Sequence, residues 1–124
     1  MANEFTVKVS DDQGLNWTTV KDDIEGYFPV GIQDLTGRIW IFYYREEKIY
    51  YVVSDVQGTT WQEEAEVVLQ QGDPPEEVVP AEGKIGIDMD ESGRLWISFW
   101  DSEDNEKAAY LDVEGGTWVV RDIT

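Results

Sequence analysis

Gly37-Arg38-Ile39-Trp40-Ile41 returns as Gly93-Arg94-Leu95-Trp96-Ile97, 56 positions further along a chain of 124 residues. The match extends outward on both sides of the pentamer. Val30-Gly31-Ile32 answers to Ile85-Gly86-Ile87, and Gly58-Thr59-Thr60-Trp61 answers to Gly115-Gly116-Thr117-Trp118. The spacing slips from 55 at the first glycine to 57 at the last tryptophan, as single insertions in turns would cause. Two divergent copies of one unit therefore fill most of the chain. A partial third copy precedes them, since Ser10-Asp-Asp12-Gln-Gly14-Leu-Asn-Trp17 parallels Ser54-Asp-Val56-Gln-Gly58-Thr-Thr-Trp61.

Each full unit reads as four strands with little sign of helix. The first strand, residues 28–33 and 84–89, carries a central glycine where a bulky side chain would not fit. The second, residues 38–44 and 94–100, is the most apolar. In the first copy Ile39, Ile41 and Tyr43 alternate with Trp40, Phe42 and Tyr44, so both faces are greasy and an interior strand between sheets is expected. Trp40 and Trp96 are repeat-equivalent core candidates. The third strand, residues 48–54 and 107–113, leads through a glycine-bearing hairpin into a fourth, residues 60–69 and 117–123. The fourth is the most charged and is expected at an outer edge. This gives one all-β domain over 1–124: an N-terminal hairpin at 5–20, a first unit at 27–69, an acidic proline-rich loop at 70–83 and a second unit at 84–124.

Composition narrows the function. The 27 acidic and nine basic residues give a net charge of -18, divided as -5 in residues 1–62 and -13 in residues 63–124. No basic patch is present to attract a phosphate backbone, so nucleic acid is an unsuitable partner. No run approaches the roughly 18 apolar residues of a bilayer helix, and Met1-Ala2-Asn3-Glu4 does not open like a signal peptide. A soluble chain is expected. With no cysteine and no histidine, disulfides, thiolate or imidazole zinc sites and Ser-His catalysis are excluded.

Ser10-x-Asp12-x-Gly14-x-x-Trp17 resembles the Asp-box, or BNR repeat, of sialidase-like β-propellers at every signature position. Ser54-x-Val56-x-Gly58-x-x-Trp61 is similar except for valine in place of aspartate, and the third copy keeps only Gly115 and Trp118. The framing Asp34-x-x-Gly37-Arg-Ile-Trp and the Ile49-Tyr50-Tyr51 run are also similar to that family's blade. The resemblance implies four-stranded antiparallel meander blades, about two of them plus the hairpin, with the boxes as folding devices between third and fourth strands. Serine and aspartate would accept bonds from turn amides, and tryptophan would anchor each hairpin into its blade.

The sialidases of that family bind a substrate carboxylate with three arginines and use a tyrosine-glutamate pair with an aspartate. Only Arg38, Arg45, Arg94 and Arg121 exist here, and Arg38 and Arg94 hold the same place in each repeat. The arginine-isoleucine-proline signature is replaced by Tyr27-Phe28-Pro29-Val30. No catalytic residue is nominated, and the chain reads as a non-enzyme. A calcium ion is a weaker candidate. Asp88-Met-Asp90-Glu-Ser92-Gly93 spaces oxygen ligands like the opening of a calcium loop, with Asp88, Asp90 and Ser92 as ligands, and Asp101, Glu103, Asp104 and Asn105 form a second oxygen-rich turn. Against it, Phe99 stands where an EF-type loop places its last ligand, and Gln33-Asp34-Leu-Thr-Gly37 lacks the pattern. The plain alternative is a tight hairpin.

Two function classes remain. Tyr43, Tyr44 and Trp100, at the outgoing end of the second strand, are the candidate contacts for a glycan bound between blades by a lectin-like module. The alternative is a structural or assembly subunit, such as a phage tail or capsid decoration protein, placed on a virion or at an extracellular surface. Both share one arithmetic consequence. Two blades cannot close a ring of at least four, so a homo-oligomer is expected, most simply a trimer of six blades.

Overall fold

The computed structural model describes residues 3–111 and 118–123, and within them every regular element is a strand. β1 (Glu4–Val9) and β2 (Thr18–Glu25) form a two-stranded hairpin. β3 (Tyr27–Gln33), β4 (Ile39–Arg45), β5 (Lys48–Val53) and β6 (Ala65–Glu66) make a four-stranded antiparallel sheet in chain order. β7 (Leu69–Gln71), β8 (Glu76–Glu77), β9 (Gly86–Met89), β10 (Leu95–Trp100), β11 (Glu106–Leu111) and β12 (Trp118–Asp122) make a six-stranded sheet ordered β8-β7-β12-β11-β10-β9. Its one parallel pairing joins β7 to β12. The fold is all-β and built from antiparallel sheets.

The sheets lie in three layers, and the alternation along β4 explains why. Trp40, Phe42 and Tyr44 point to one side, where they pack with Leu95, Ile97 and Phe99 of β10, Ala109 of β11, and Trp118 and Val120 of β12. Ile41 and Tyr43 point to the other side, where Phe5, Val7 and Ile24 of the hairpin cover them. Five successive positions of β4 are buried, as the two-faced apolar pattern requires. The larger core is strongly aromatic. Phe42, fully buried, lies 5.6 Å from both the Tyr51 and Trp118 rings, with Trp40 stacked 6.3 Å away.

The central glycines of the first strands admit close neighbours. A Cβ on Gly31 would stand 2.7 Å from Ile41 Cδ1, and one on Gly86 would stand 2.3 Å from Ser98 Oγ.

Several turns share one device. In four of them an aspartate carboxylate accepts the backbone N–H groups two and four residues ahead: Asp34 from Thr36 and Arg38, Asp55 from Gln57 and Thr59, Asp90 from Ser92 and Arg94, Asp101 from Glu103 and Asn105. The residue three positions ahead adopts a left-handed backbone, which glycine takes without a Cβ penalty at Gly37, Gly58 and Gly93 (φ 99°, 73° and 86°), and which Asp104 takes at 65°. Asp34 and Asp90 also accept from the indole of Trp40 or Trp96, which ties each turn to the strand it opens.

Several expectations are corrected. The fourth strand of the first unit does not run through 60–69. It breaks after Glu66, and Leu69–Gln71 crosses to pair with β12 of the next sheet. β12 is accordingly interior rather than an edge, and the acidic segment 70–83 is not all loop, since β8 lies within it. The hairpin is longer than 5–20, reaching Glu25. Trp96 is not a core counterpart of Trp40: it is half-buried on the far face of β10. The third strand of the second unit is described as far as Leu111, and its expected end at 113 lies outside the described residues.

Candidate binding surface

The first box-like turn, Ser10 to Trp17, closes on its own bonds. Ser10 Oγ donates to Asp12 Oδ1 at 2.8 Å and accepts Gly14 N–H at 2.8 Å, while Asp12 accepts the Asn16 backbone and side-chain amides at 2.8 and 2.6 Å. These donors, the Asn16 backbone amide foremost, hold the Asp12 carboxyl below its ordinary value. Trp17 does not anchor the turn into a sheet. Its side chain is 61% exposed, and its indole N–H donates only to Gly14 O.

In the second box the carboxylate lost at Val56 is supplied one residue earlier, by Asp55, and bonds from Thr60 and Thr59 keep that carboxyl well below the usual range. Ser54 is fully buried, accepts Ile39 N–H at 2.9 Å and donates to Asp55 O, so it binds the box to the start of β4. Trp61 packs against the smaller core. Trp118 is buried in the larger one, while Gly115 lies outside the described residues. The boxes thus act as turn and strand fasteners, each by different atoms.

The three aromatic candidates do not converge. Tyr43 is fully buried in the smaller core, where its hydroxyl donates to Glu64 in a short bond. Glu64 also receives Arg45 through both guanidinium nitrogens at 2.9 and 2.5 Å. Burial, reinforced by Glu64, raises the Tyr43 hydroxyl far above an ordinary phenol. Burial of Glu64 works in the opposite sense to Arg45 and Tyr43, and the two donors prevail, leaving its carboxyl below normal. A protonated phenol, an ionised carboxylate and a guanidinium form a closed structural network. Tyr44 is buried in the larger core on the opposite face of β4. Trp100, by contrast, is 53% exposed on the outer face of β10.

The calcium candidates Asp88, Asp90 and Ser92 take part in bonds within their own turn. Asp90 accepts Ser92 Oγ–H at 2.6 Å, Ser92 N–H, Arg94 N–H and the Trp96 indole, and these donors, Ser92 Oγ first, hold its carboxyl well below the usual range. Asp88 Oδ1 accepts Met89 N–H. Among the described residues no group of three or more carboxylates gathers around a point. The turn at Asp34 has the same wiring, which the spacing of its oxygen-bearing side chains alone conceals.

Two clefts bear on function, one between the sheets and one within the six-stranded sheet. One, of about 320 Å³, lies at the repeat junction between Asp34, Trp40, Ser92, Gly93, Arg94 and Leu111. Leu35 leans over it, for a Cβ on Gly93 would stand 2.8 Å from Leu35 Cδ1. A larger acidic cleft of about 440 Å³ runs along Glu76, Glu77, Asp101 and Glu103. Lys107 stands at its floor, bonded to Asp122 at 2.5 Å and Gln71 at 2.8 Å, and 3.9 Å from Asp101.

The most distinctive surface is one that motif reading missed, the outer face of the six-stranded sheet. Register places Trp96 opposite Tyr110 and Asp88, Ser98 opposite Ala108, and Trp100 opposite Glu106, while Val119 and Arg121 continue the face onto β12. Trp96 and Tyr110 touch with ring centroids 4.7 Å apart. Arg94 lies 4.4 Å over the Tyr110 ring and Arg121 lies 5.7 Å from it. Cation–π contact of this kind orders a guanidinium without neutralising it. The signal available in sequence was the repeat itself: Trp96, Ser98 and Trp100 are the counterparts of Trp40, Phe42 and Tyr44, which another layer covers. No protein-family model matches the chain, and no curated protein matches it.

Proposed function

We propose that the chain is a non-catalytic building block of a β-propeller-like assembly, its sheets serving as blade layers completed by further copies. One observation carries this reading. The face of β10 that corresponds to the buried Trp40, Phe42 and Tyr44 face of β4 is covered by no other described sheet, and it presents Trp96, Trp100 and Tyr110. Aromatic sheet faces of this type are normally covered, and a homo-oligomer covers them with the material at hand. The layer count adds support. The hairpin stacks as a layer of its own, so each chain supplies three layers rather than two, and two chains supply the six that a trimer of two-blade chains would otherwise provide. An assembly role, such as a component of a tail or capsid surface, follows from this form.

Light scattering on the purified chain tests the reading. An oligomer is expected, and a monomer at about 100 μM overturns it. The exposure of Trp100 beside Trp96 favours a second reading, glycan stacking on that same face. A glycan array would then give binding that vanishes in Trp100→Ala.

A further inference from the structure

We infer that the outer face of the six-stranded sheet receives the acidic outer face of the N-terminal hairpin of a second copy, head to tail. This rests on the assembly reading above. Stacking within the chain is directional: the hairpin covers the Ile41 and Tyr43 side of β4, and the six-stranded sheet covers its Trp40 and Phe42 side. A free face of opposite sense is therefore left at each end, the hairpin's outer side and the Trp96 side of β10. Continuing the stack brings those two together.

Charge supports the same pairing. Among the described residues Arg94 and Arg121 have no carboxylate within ion-pair distance, whereas Arg45 and Lys48 each have one and Lys107 has two. Two unpaired guanidinia beside Tyr110 are conspicuous in a chain with 27 acids. The hairpin exposes Glu4, Asp22, Asp23 and Glu25 against Lys8 as its one exposed base, and none of these acids is ion-paired among the described residues. Asp88 and Glu106 also lie on the receiving face and leave it near neutral, still the less acidic of the two surfaces. Guanidinium groups held over a ring can receive carboxylates bidentately, which sets register as well as attraction.

Reciprocal charge reversal tests the pairing in the full chain. Arg94→Glu with Arg121→Glu, and separately Glu4→Lys with Glu25→Lys, alter exposed side chains and should leave the circular dichroism spectrum unchanged. Each double variant is expected to associate on the order of tenfold or more weakly than the parent, and an equimolar mixture of the two should reassemble, because acid then meets base at every contact. A parent that assembles while both variants assemble equally well overturns this interface and leaves the assembly reading standing. Variants that dissociate but fail to reassemble when mixed also overturn the pairing. A monomeric parent overturns both.

Discussion

Replacing Phe42 by alanine removes the side chain on which the two larger layers meet. The ring is fully buried and contacts Trp40, Tyr51 and Trp118 at centroid distances of 5.6 to 6.3 Å. Truncating a phenylalanine in such a site costs about 3–5 kcal/mol, from lost burial and from the cavity left between layers that backbone hydrogen bonds hold apart. Against a total stability of roughly 5–15 kcal/mol for a domain of this class, that is a large fraction. With a urea slope of roughly 2 kcal/mol per molar, the midpoint should fall by about 2 M. The six tryptophans give a fluorescence signal for the transition. Leu15→Ala, at a side chain 82% exposed on the first turn, is the control and should stay within about 0.5 kcal/mol. Protein concentration is held fixed, since association would couple to unfolding. A loss below about 1 kcal/mol for Phe42→Ala, or equal losses in both variants, would refute the layered core.

Gly26→Ala should destabilise by about 1–3 kcal/mol, because its Cβ would stand 2.7 Å from Tyr43 Cδ2 and 3.1 Å from Tyr44 O. Gly83→Ala meets nothing within 4 Å, so thermal melts should show no loss there. Ser54→Ala removes the buried hydroxyl that accepts the half-buried Ile39 N–H and should cost about 1–3 kcal/mol in urea titration, a loss that Ser54→Thr would not reproduce if the hydroxyl alone matters. Acid melts should reveal the turn aspartates. Bonds from Thr60 and Thr59 to Asp55, and from Ser92 and the Trp96 indole to Asp90, depress both carboxyls in the fold. Their contribution is therefore complete above the ordinary value of 3.8 and lost as pH falls below it. Asp55→Asn with Asp90→Asn should flatten the melting temperature profile below about pH 4 relative to the parent.

The repeat, the all-β class and the two-faced character of β4 are legible in the sequence, because each is a local property: a spacing, a period of two, a turn with glycine where φ must be positive. The turn fasteners are half-legible. Asp12 is found by its motif, but Asp55 replaces it in the second box because what a hairpin requires is a carboxylate in reach of two amides, and backbone geometry, not spelling, sets that reach. Tyr43, Tyr44 and Trp100 share an end of equivalent strands, yet alternation sends the two tyrosines to opposite faces, and which faces are covered depends on layers contributed by distant residues. The same dependence separates Trp40, buried, from Trp96, half-buried, in nearly the same local sequence. Leu69–Gln71 crosses to β12 because a strand's partner is chosen by pairing energy across the whole chain. The sequence alone determined what each strand could bury; only the tertiary stack decided which faces were buried, and hence which faces at the two ends of the stack remain for a partner among the described residues.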